Sequence, residues 1–363
     1  YFIDRNTCSD VGNLQEPENR RYLLIMSDIG NILSFRSLKA GYVTGGKHHT
    51  VLADAFASAC EGELIAVIGR NGAGKSTLLR TIAGIQPLLS GSLIIGGMDI
   101  KDYSRGDLSR FVGYISTETV RVGNMRVYDL VAQGRFPYTN WFGTIEADDH
   151  DAIMASLTKA GMKSFEDRML NELSDGERQR AMIAMILAQD AKLMVMDEPT
   201  AFLDISNKFG ISNLLRELSA DRKKTIIFST HDPGMAISMA DRIWLIRDSR
   251  VIEGAPEDLV LSGEFSTLFN SSRVIFDPED GSFRMPSAAG TRVNLKGEGK
   301  YRFWTMKALE RAGYITDDSD RGLLVEAPSE NHPLWKCSSD SGTRTFENIY
   351  ELIRWLGRKQ IIY

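Results

Sequence analysis

Leu64-Ile65-Ala66-Val67-Ile68-Gly69-Arg70-Asn71-Gly72-Ala73-Gly74-Lys75-Ser76 is the stretch that decides the fold. Its first five residues are an unbroken apolar run, which predicts a strand buried on both faces of a sheet. A glycine-rich turn follows, and Ser76 to Ala83 then shows helical spacing that stops at Gly84. Gly69 to Ser76 fits G-x-x-x-x-G-K-[ST] at every specified position. Glycines let backbone N–H groups wrap around phosphate oxygens, and the helix that follows adds the positive end of its dipole. Gly69, Arg70, Asn71, Gly72, Ala73, Gly74, Lys75, Ser76 and Thr77 are therefore candidate triphosphate ligands. Lys75 is expected to reach the β- and γ-phosphates, and Ser76 to place a hydroxyl on Mg²⁺.

Working outward, Leu193-Met194-Val195-Met196 and Thr225-Ile226-Ile227-Phe228 read as two further buried strands, with helical stretches at Asp175 to Gln189 and Ile205 to Ser219. This alternation predicts an α/β fold with a mostly parallel core sheet. Ile243 to Ile246 and Arg250 to Ile252 flank Asp248-Ser249, which reads as a closing hairpin. The first domain is expected to span 36–272, after an N-terminal tail over 1–35. The polar start lacks periodicity and begins without Met, so Met26 is the expected native first residue.

Residues 273–363 read as a small α+β domain. Turn chemistry at Pro278 to Gly281 suggests a hairpin, two helices are expected over Tyr301 to Ala312 and Phe346 to Gly357, and Leu323 to Val325 reads as a strand. Trp304, Tyr314 and Trp335 are candidates either for its core or for a ligand pocket. Its 13 basic and 13 acidic residues from position 275 onward leave no charge excess.

The 363 residues are 43% hydrophobic and 25% charged, proportions of a globular protein that argue against disorder. A net charge of -5 gives no general attraction to nucleic acid, which is not an expected partner. Cys8, Cys60 and Cys337 are far apart and form no C-x-x-C pair, so neither zinc nor a redox centre is indicated and a reducing cytosol is expected. Apolar runs such as Ala181 to Ala188 fall short of the roughly 20 residues that span a bilayer.

Asp197 and Glu198 end the second buried strand, where a strand beside the phosphate loop delivers its last residues to the ligand crevice. Asp197 is the candidate to hold Mg²⁺ through water. Glu198 is the candidate general base that orients and polarises the attacking water. His231 follows the third strand and points at the same crevice.

Leu173-Ser174-Asp175-Gly176-Glu177 resembles the LSGGQ signature of ABC ATPases, and it lies between the phosphate loop and Asp197, in that family's order. Asp197-Glu198-Pro199-Thr200 and Ala201-Phe202-Leu203-Asp204 resemble its second Walker motif and D-loop. His231 in Ser229-Thr230-His231-Asp232 resembles the switch histidine, and Tyr42 the aromatic that stacks on adenine, unless Tyr42 is core. Ser174 with Glu177 also reads as a capping box, which is compatible, since anions bind helix N-termini. The resemblance covers residues 36–265. It implies a homodimer in which Lys75, Ser76, Asp197, Glu198 and His231 of one chain face Ser174 and Gly176 of the other across ATP.

Three positions depart from the family pattern. Thr117 or, shifted by one, Glu118 stands where most members carry a metal-touching Gln, and Thr117 is the favoured assignment. Asp175 replaces a Gly of the signature and is expected to turn its carboxylate away from the nucleotide. Met185 stands where many members have Arg. Leu130 to Tyr138 is similar to the helical-subdomain stretch of importers for iron-siderophore, haem and cobalamin. The resemblance implies an ATPase on the inner face of the cell membrane that powers import through a separate permease, served by a substrate-binding protein. The alternative is a soluble ABC ATPase of repair or translation, a class that usually carries two ATPase units, a coiled coil or a zinc insertion.

Overall fold

The computed structural model describes residues 30–359 other than 46, 118–123, 141–142, 221–223, 269–274, 279–280, 282, 285–290, 318–322, 330–331 and 340–341. Met26, Cys8 and Glu118, with the readings attached to them, lie outside the described residues. The chain divides into two compact units, one reaching Leu268 and one carrying Asp277 and the chain from Phe283 onward.

In chain order the first unit contains β1 (Asn31–Thr44), β2 (Lys47–Cys60), β3 (Leu64–Gly69), α1 (Lys75–Ile82), β4 (Ser90–Ile95), β5 (Met98–Asp99), α2 (Arg105–Phe111) and β6 (Val112–Ile115). Next along the chain are α3 (Val127–Ala132), α4 (Ala147–Lys159), α5 (Asp175–Ala188), β7 (Leu193–Met196), α6 (Ile205–Ala220), β8 (Thr225–Ser229), α7 (Pro233–Met239), β9 (Arg242–Arg247) and β10 (Arg250–Gly254). Two short helices, α8 (Pro256–Leu261) and α9 (Glu264–Thr267), complete it. The central sheet runs β10-β9-β3-β8-β7-β6. β9, β3, β8, β7 and β6 are mutually parallel, and β10 closes the edge antiparallel to β9. β3 is flanked by β8 and β9 and buried along its whole length, which is why its sequence is apolar at every position instead of alternating.

A second, antiparallel sheet runs β2-β1-β4-β5. β1 starts at Asn31, so the last residues of the expected tail are strand: Ile32, Leu33 and Phe35 are buried, and Phe35 meets Trp244 edge to face at 5.3 Å. The predicted Asp248-Ser249 turn joins β9 to β10 with positive φ at both residues (49° and 61°), the two-residue geometry whose twist suits a hairpin.

The stretch from Leu130 to Tyr138 holds the helices between β6 and β7 together. A Cβ on Gly134 would collide with the Met185 carbonyl oxygen, so only glycine lets the end of α3 press against α5. Arg135 donates to Asp149 Oδ1 (2.8 Å) and to the Ala188 carbonyl (2.8 Å), and its guanidinium lies 4.1 Å over the Tyr138 ring. The Tyr138 hydroxyl donates to the Gln189 carbonyl at 3.0 Å.

In the second unit, β11 (Ile275–Phe276) pairs with β12 (Phe283–Arg284), the predicted hairpin. Then come β13 (Arg292–Lys296), α10 (Gly299–Arg311), β14 (Ile315–Asp317), β15 (Leu323–Glu326), β16 (Trp335–Ser339), β17 (Gly342–Phe346) and α11 (Ile349–Lys359). The sheet order is β14-β13-β15-β16-β17, with β14 and β15 parallel to β13 and the remaining pairs antiparallel. Phe346, expected to open a helix, instead ends β17 opposite Trp335 and packs into the core. Tyr314 and Trp335 are core residues, and the Trp335 indole N–H donates to Thr305 Oγ1 at 2.8 Å. Trp304 is not a core residue, since it is 62% exposed on α10.

Candidate functional site

Three adjacent parallel strands, β3, β8 and β7, end on the same side and carry the phosphate loop, His231 and the Asp197-Glu198 pair. Gly72 and Gly74 take positive φ (78° and 107°), which glycine adopts without a steric penalty. A Cβ on Gly74 would also strike Val51 of β2 at 2.6 Å, so the loop is seated against the antiparallel sheet. Lys75 opens α1 and folds its ammonium back, donating to the carbonyls of Gly69 (3.0 Å) and Arg70 (3.4 Å). Burial pushes that ammonium below its ordinary lysine value, against the opposing pull of Glu198 and Asp197. Ser76 and Thr77 are half-buried on the first turn of α1, while Arg70, Asn71 and Gly72 are exposed.

Ser229, fully buried at the end of β8, organises both acids. Its hydroxyl donates to Asp197 Oδ1 at 2.7 Å and accepts from the Glu198 backbone N–H at 2.9 Å. The Asp197 N–H donates to the Ile115 carbonyl at the end of β6 (2.8 Å), and Thr117 Oγ1 donates to the Asp197 carbonyl at 3.2 Å. Thr117 is thereby brought beside the strand that bears the acids. Glu198 takes φ 53°, rare for a non-glycine residue and typical of positions where function dictates the backbone.

The Glu198 carboxylate meets His231 Nε2. The other ring nitrogen, Nδ1, is 3.4 Å from Lys75 Nζ. An ammonium only donates, so Nδ1 accepts and the ring proton sits on Nε2, directed at Glu198. Glu198, Thr200, Lys208, Thr230, His231 and Asp232 line an open cleft of about 300 Å³. Lys75 and Asp197 are buried while Glu198 and His231 face the cleft, an arrangement that suits the stabilisation of charge on a ligand bound there.

Tyr42 is about half exposed, which removes the core alternative, and it stacks on His49 of β2 with ring centroids 5.3 Å apart. It lies on the same hairpin that supports Gly74. The signature residues and Asp204 form a second group. Ser174 caps α5: its hydroxyl accepts from the Glu177 N–H (3.3 Å), and Glu177 Oε2 accepts from the Ser174 N–H and hydroxyl (2.8 Å each). These bonds hold the Glu177 carboxyl below its usual range. Asp175 swings to Arg178, 3.0 Å away. Asp204 accepts from the Asn207 N–H at 2.8 Å at the start of α6, and Gly176 packs against the Asn207 side chain.

Ser229, Asn207 and His49 are not singled out by the sequence. Ser229 is open to notice as a hydroxyl two places before His231 at a buried strand end. Nothing in spacing marks Asn207, whose role exists only because α5 and α6 cross.

Among the described residues, no three His, Cys, Asp or Glu side chains form a metal cage. Ser76, Thr117 and Asp197 supply oxygen donors only, which suits Mg²⁺, an ion that keeps several waters and phosphate oxygens as ligands.

The ABC transporter family matches residues 53–201, and the iron ABC transporter C-terminal domain matches residues 289–357. The chain is 33% identical to the ferric enterobactin transport ATP-binding protein of Escherichia coli strain K12, over 60% of this chain and 80% of that protein. It is also 33% identical to the achromobactin transport ATP-binding protein of Dickeya dadantii, over 68% of this chain and 91% of that protein. Among solved structures, cbiO1 from Clostridium perfringens, part of an ABC transporter complex, superposes with a TM-score of 0.57 at 27% identity, covering 67% of this chain and 96% of that one. A phosphate loop, an acid pair and a capped signature helix on one α/β scaffold thus accompany matches over most of the relatives' length: the chain belongs to the ATP-binding subunits of ABC transporters and is an ABC-type ATPase.

Proposed function

We propose that the chain hydrolyses ATP to drive import of an iron chelate through a separate membrane permease. The observation that carries the ATPase half is the Lys75–His231–Glu198 chain of contacts at the ends of three parallel strands. The backbone N–H groups of Gly69 to Gly74 and the ammonium of Lys75 bind the phosphates, and Tyr42 stacks on the adenine. Ser76, Asp197 and Thr117 are the groups to hold Mg²⁺, which when bound neutralises charge on the phosphates. Glu198 accepts a hydrogen bond from the attacking water and withdraws its proton, while His231 keeps that carboxylate aimed. Ser229 holds Asp197 and Glu198 to separate tasks by bonding one through its side chain and the other through its backbone.

Two sites arise when a second copy presents Ser174, Gly176 and Glu177 to the phosphates held by the first, with Asp204 at the junction. Among the described residues no helix is long and apolar enough to cross a membrane; in this reading the subunit sits on the inner face of a separate permease. The enterobactin and achromobactin relatives, with the iron-type C-terminal match, favour a ferric chelate over cobalamin as cargo. The permease and a substrate-binding protein complete the importer.

Glu198→Gln is expected to retain ATP binding while turnover falls at least ~100-fold, about 2.7 kcal/mol of barrier. Unchanged turnover would remove Glu198 as the base. For the cargo, vesicles containing the subunit with its co-purifying permease should take up a ferric chelate on ATP addition. Uptake of cobalamin alone would replace iron chelate as the substrate class.

A further inference from the structure

We propose that Asn207 is a positioning residue that joins the two ATP sites of the assembled ATPase, by locking the signature helix tip of each chain to that chain's own Asp204 loop. The proposal rests on the function proposed for the site, in which Ser174 and Gly176 serve the nucleotide held by the partner copy, whereas Glu198 serves the nucleotide held by its own chain.

The contacts run in one unbroken line. Glu198 leads into a tight turn, its carbonyl accepting from the Ala201 N–H at 3.0 Å. Three residues on, Asp204 receives two bonds from Asn207: the backbone N–H donates to Oδ1 at 2.8 Å and the side-chain amide donates to Oδ2 at 3.2 Å. The same amide fills the space beside Gly176. A Cβ there would stand 2.6 Å from both Cγ and Oδ1 of Asn207 and 3.0 Å from Nδ2. No slack separates the Asp204 loop from the tip of α5, and close-packed contacts of this kind transmit displacement instead of absorbing it.

A second, reciprocal fit lies one turn further along. A Cβ on Gly210 of α6 would stand 2.7 Å from Arg180 of α5, whose guanidinium continues on to donate to the Ala160 carbonyl at 3.3 Å. On α5 the glycine comes first and the long polar side chain four residues later; on α6 the polar side chain comes first and the glycine three residues later. Residues spaced three and four apart share a helix face, so both fits lie where α5 and α6 face each other, the short Asn207 amide making the closer-set of the two and the Arg180 guanidinium the more yielding. The signature tip is therefore tied to Asp204 through the Asn207 contacts. A shift at one nucleotide, felt through Glu198 and Asp204, reaches the group that contacts the other nucleotide.

The test uses the full chain and compares wild type with Asn207→Ala and Asn207→Asp, the latter nearly isosteric but facing Asp204 with a carboxylate in place of a donor. ATP hydrolysis is measured against ATP concentration well below the melting midpoint of every variant, and melting is recorded separately. Wild type should hydrolyse cooperatively. Both variants should fall to a Hill coefficient of about 1, with half-saturation raised about five- to tenfold, the lower range of coupling between sites. In a Glu198→Gln background, Asn207→Ala should also lose ATP-driven association of two chains. Wild-type cooperativity retained in both variants, whatever happens to their melting, overturns the proposal and leaves Asn207 as a packing residue; so does a non-cooperative wild type that hydrolyses normally. A wild type that neither hydrolyses ATP nor associates with it overturns the underlying reading of paired sites, and the proposal with it.

Discussion

Removal of the Ser229 hydroxyl isolates a single atom on which both acids depend. In Ser229→Ala, Asp197, which is 2% exposed, loses a donor at 2.7 Å, and the Glu198 N–H loses an acceptor at 2.9 Å. Losing a hydrogen bond to a charged group costs about 1.5–3 kcal/mol, and leaving a buried N–H without a partner costs about 1–3 kcal/mol. Ser229 and Asp197 are buried, so water does not easily replace the hydroxyl between them, and with the Glu198 N–H only partly buried a total of about 3 kcal/mol is expected for the first unit. The assay is urea unfolding, where the midpoint should fall at unchanged slope. Turnover should fall by about 10²-fold, because misplacing a catalytic carboxylate by roughly 1 Å has that effect. Ser229→Cys, with a weak donor, should lie between. A loss of stability below about 1 kcal/mol together with turnover within about twofold of wild type would refute the assignment of Ser229 as the organiser of the acid pair.

Gly134→Ala drives a methyl group into the Met185 carbonyl oxygen and should cost about 2–3 kcal/mol, read by chemical unfolding; a neutral result would mean that α3 can withdraw from α5 freely. The Asp149 carboxyl is held below its ordinary value, first by the hydrogen bond from Arg135 and then by the Glu146 N–H. A carboxyl depressed on folding adds stability that is complete above its unfolded value and is lost as pH falls through the folded one. Asp149→Asn should therefore unfold with a shallower loss of stability below about pH 4 than wild type, and an identical acid limb would discount the pair. Trp304→Ala should alter stability by no more than about 0.5 kcal/mol, whereas Trp335→Ala should cost about 3–5 kcal/mol in the second unit; melting curves of the two variants separate an exposed indole from a buried one.

The parts of the fold visible in sequence are those whose environment imposes an unbroken or strictly periodic pattern. β3, β7 and β8 are apolar at nearly every position because both faces of this parallel sheet are covered, and the glycines of 69–74 mark a backbone that must curl. β13, β16 and β17 escape notice since one face of each is polar or exposed: Lys336 lies between buried Trp335 and Cys337, and Gly342 to Thr345 is exposed throughout. Phe346 fits a helical spacing with Ile349, Ile353 and Leu356, yet the same core receives it from the end of a strand. Lys75, Asp197, Glu198 and His231 are legible because each follows a strand whose end faces the crevice. Ser229 and Asn207 work through partners distant in the chain, a relation that no local pattern encodes.

Arg135 and the cap at Ser174 together give α5 a mechanical character. The helix is 14 residues long, about 21 Å from end to end. At its far end the Arg135 guanidinium grips the Ala188 carbonyl, and the Gln189 amide donates to the carbonyls of Ser109 and Val112. One continuous helix thus links the turn that exposes Phe136 to the serine cap at its other extremity, with α6 packed alongside. A partner that pressed on the surface where Phe136 emerges would therefore be pushing on the far end of the same helix that carries Ser174, some two nanometres away.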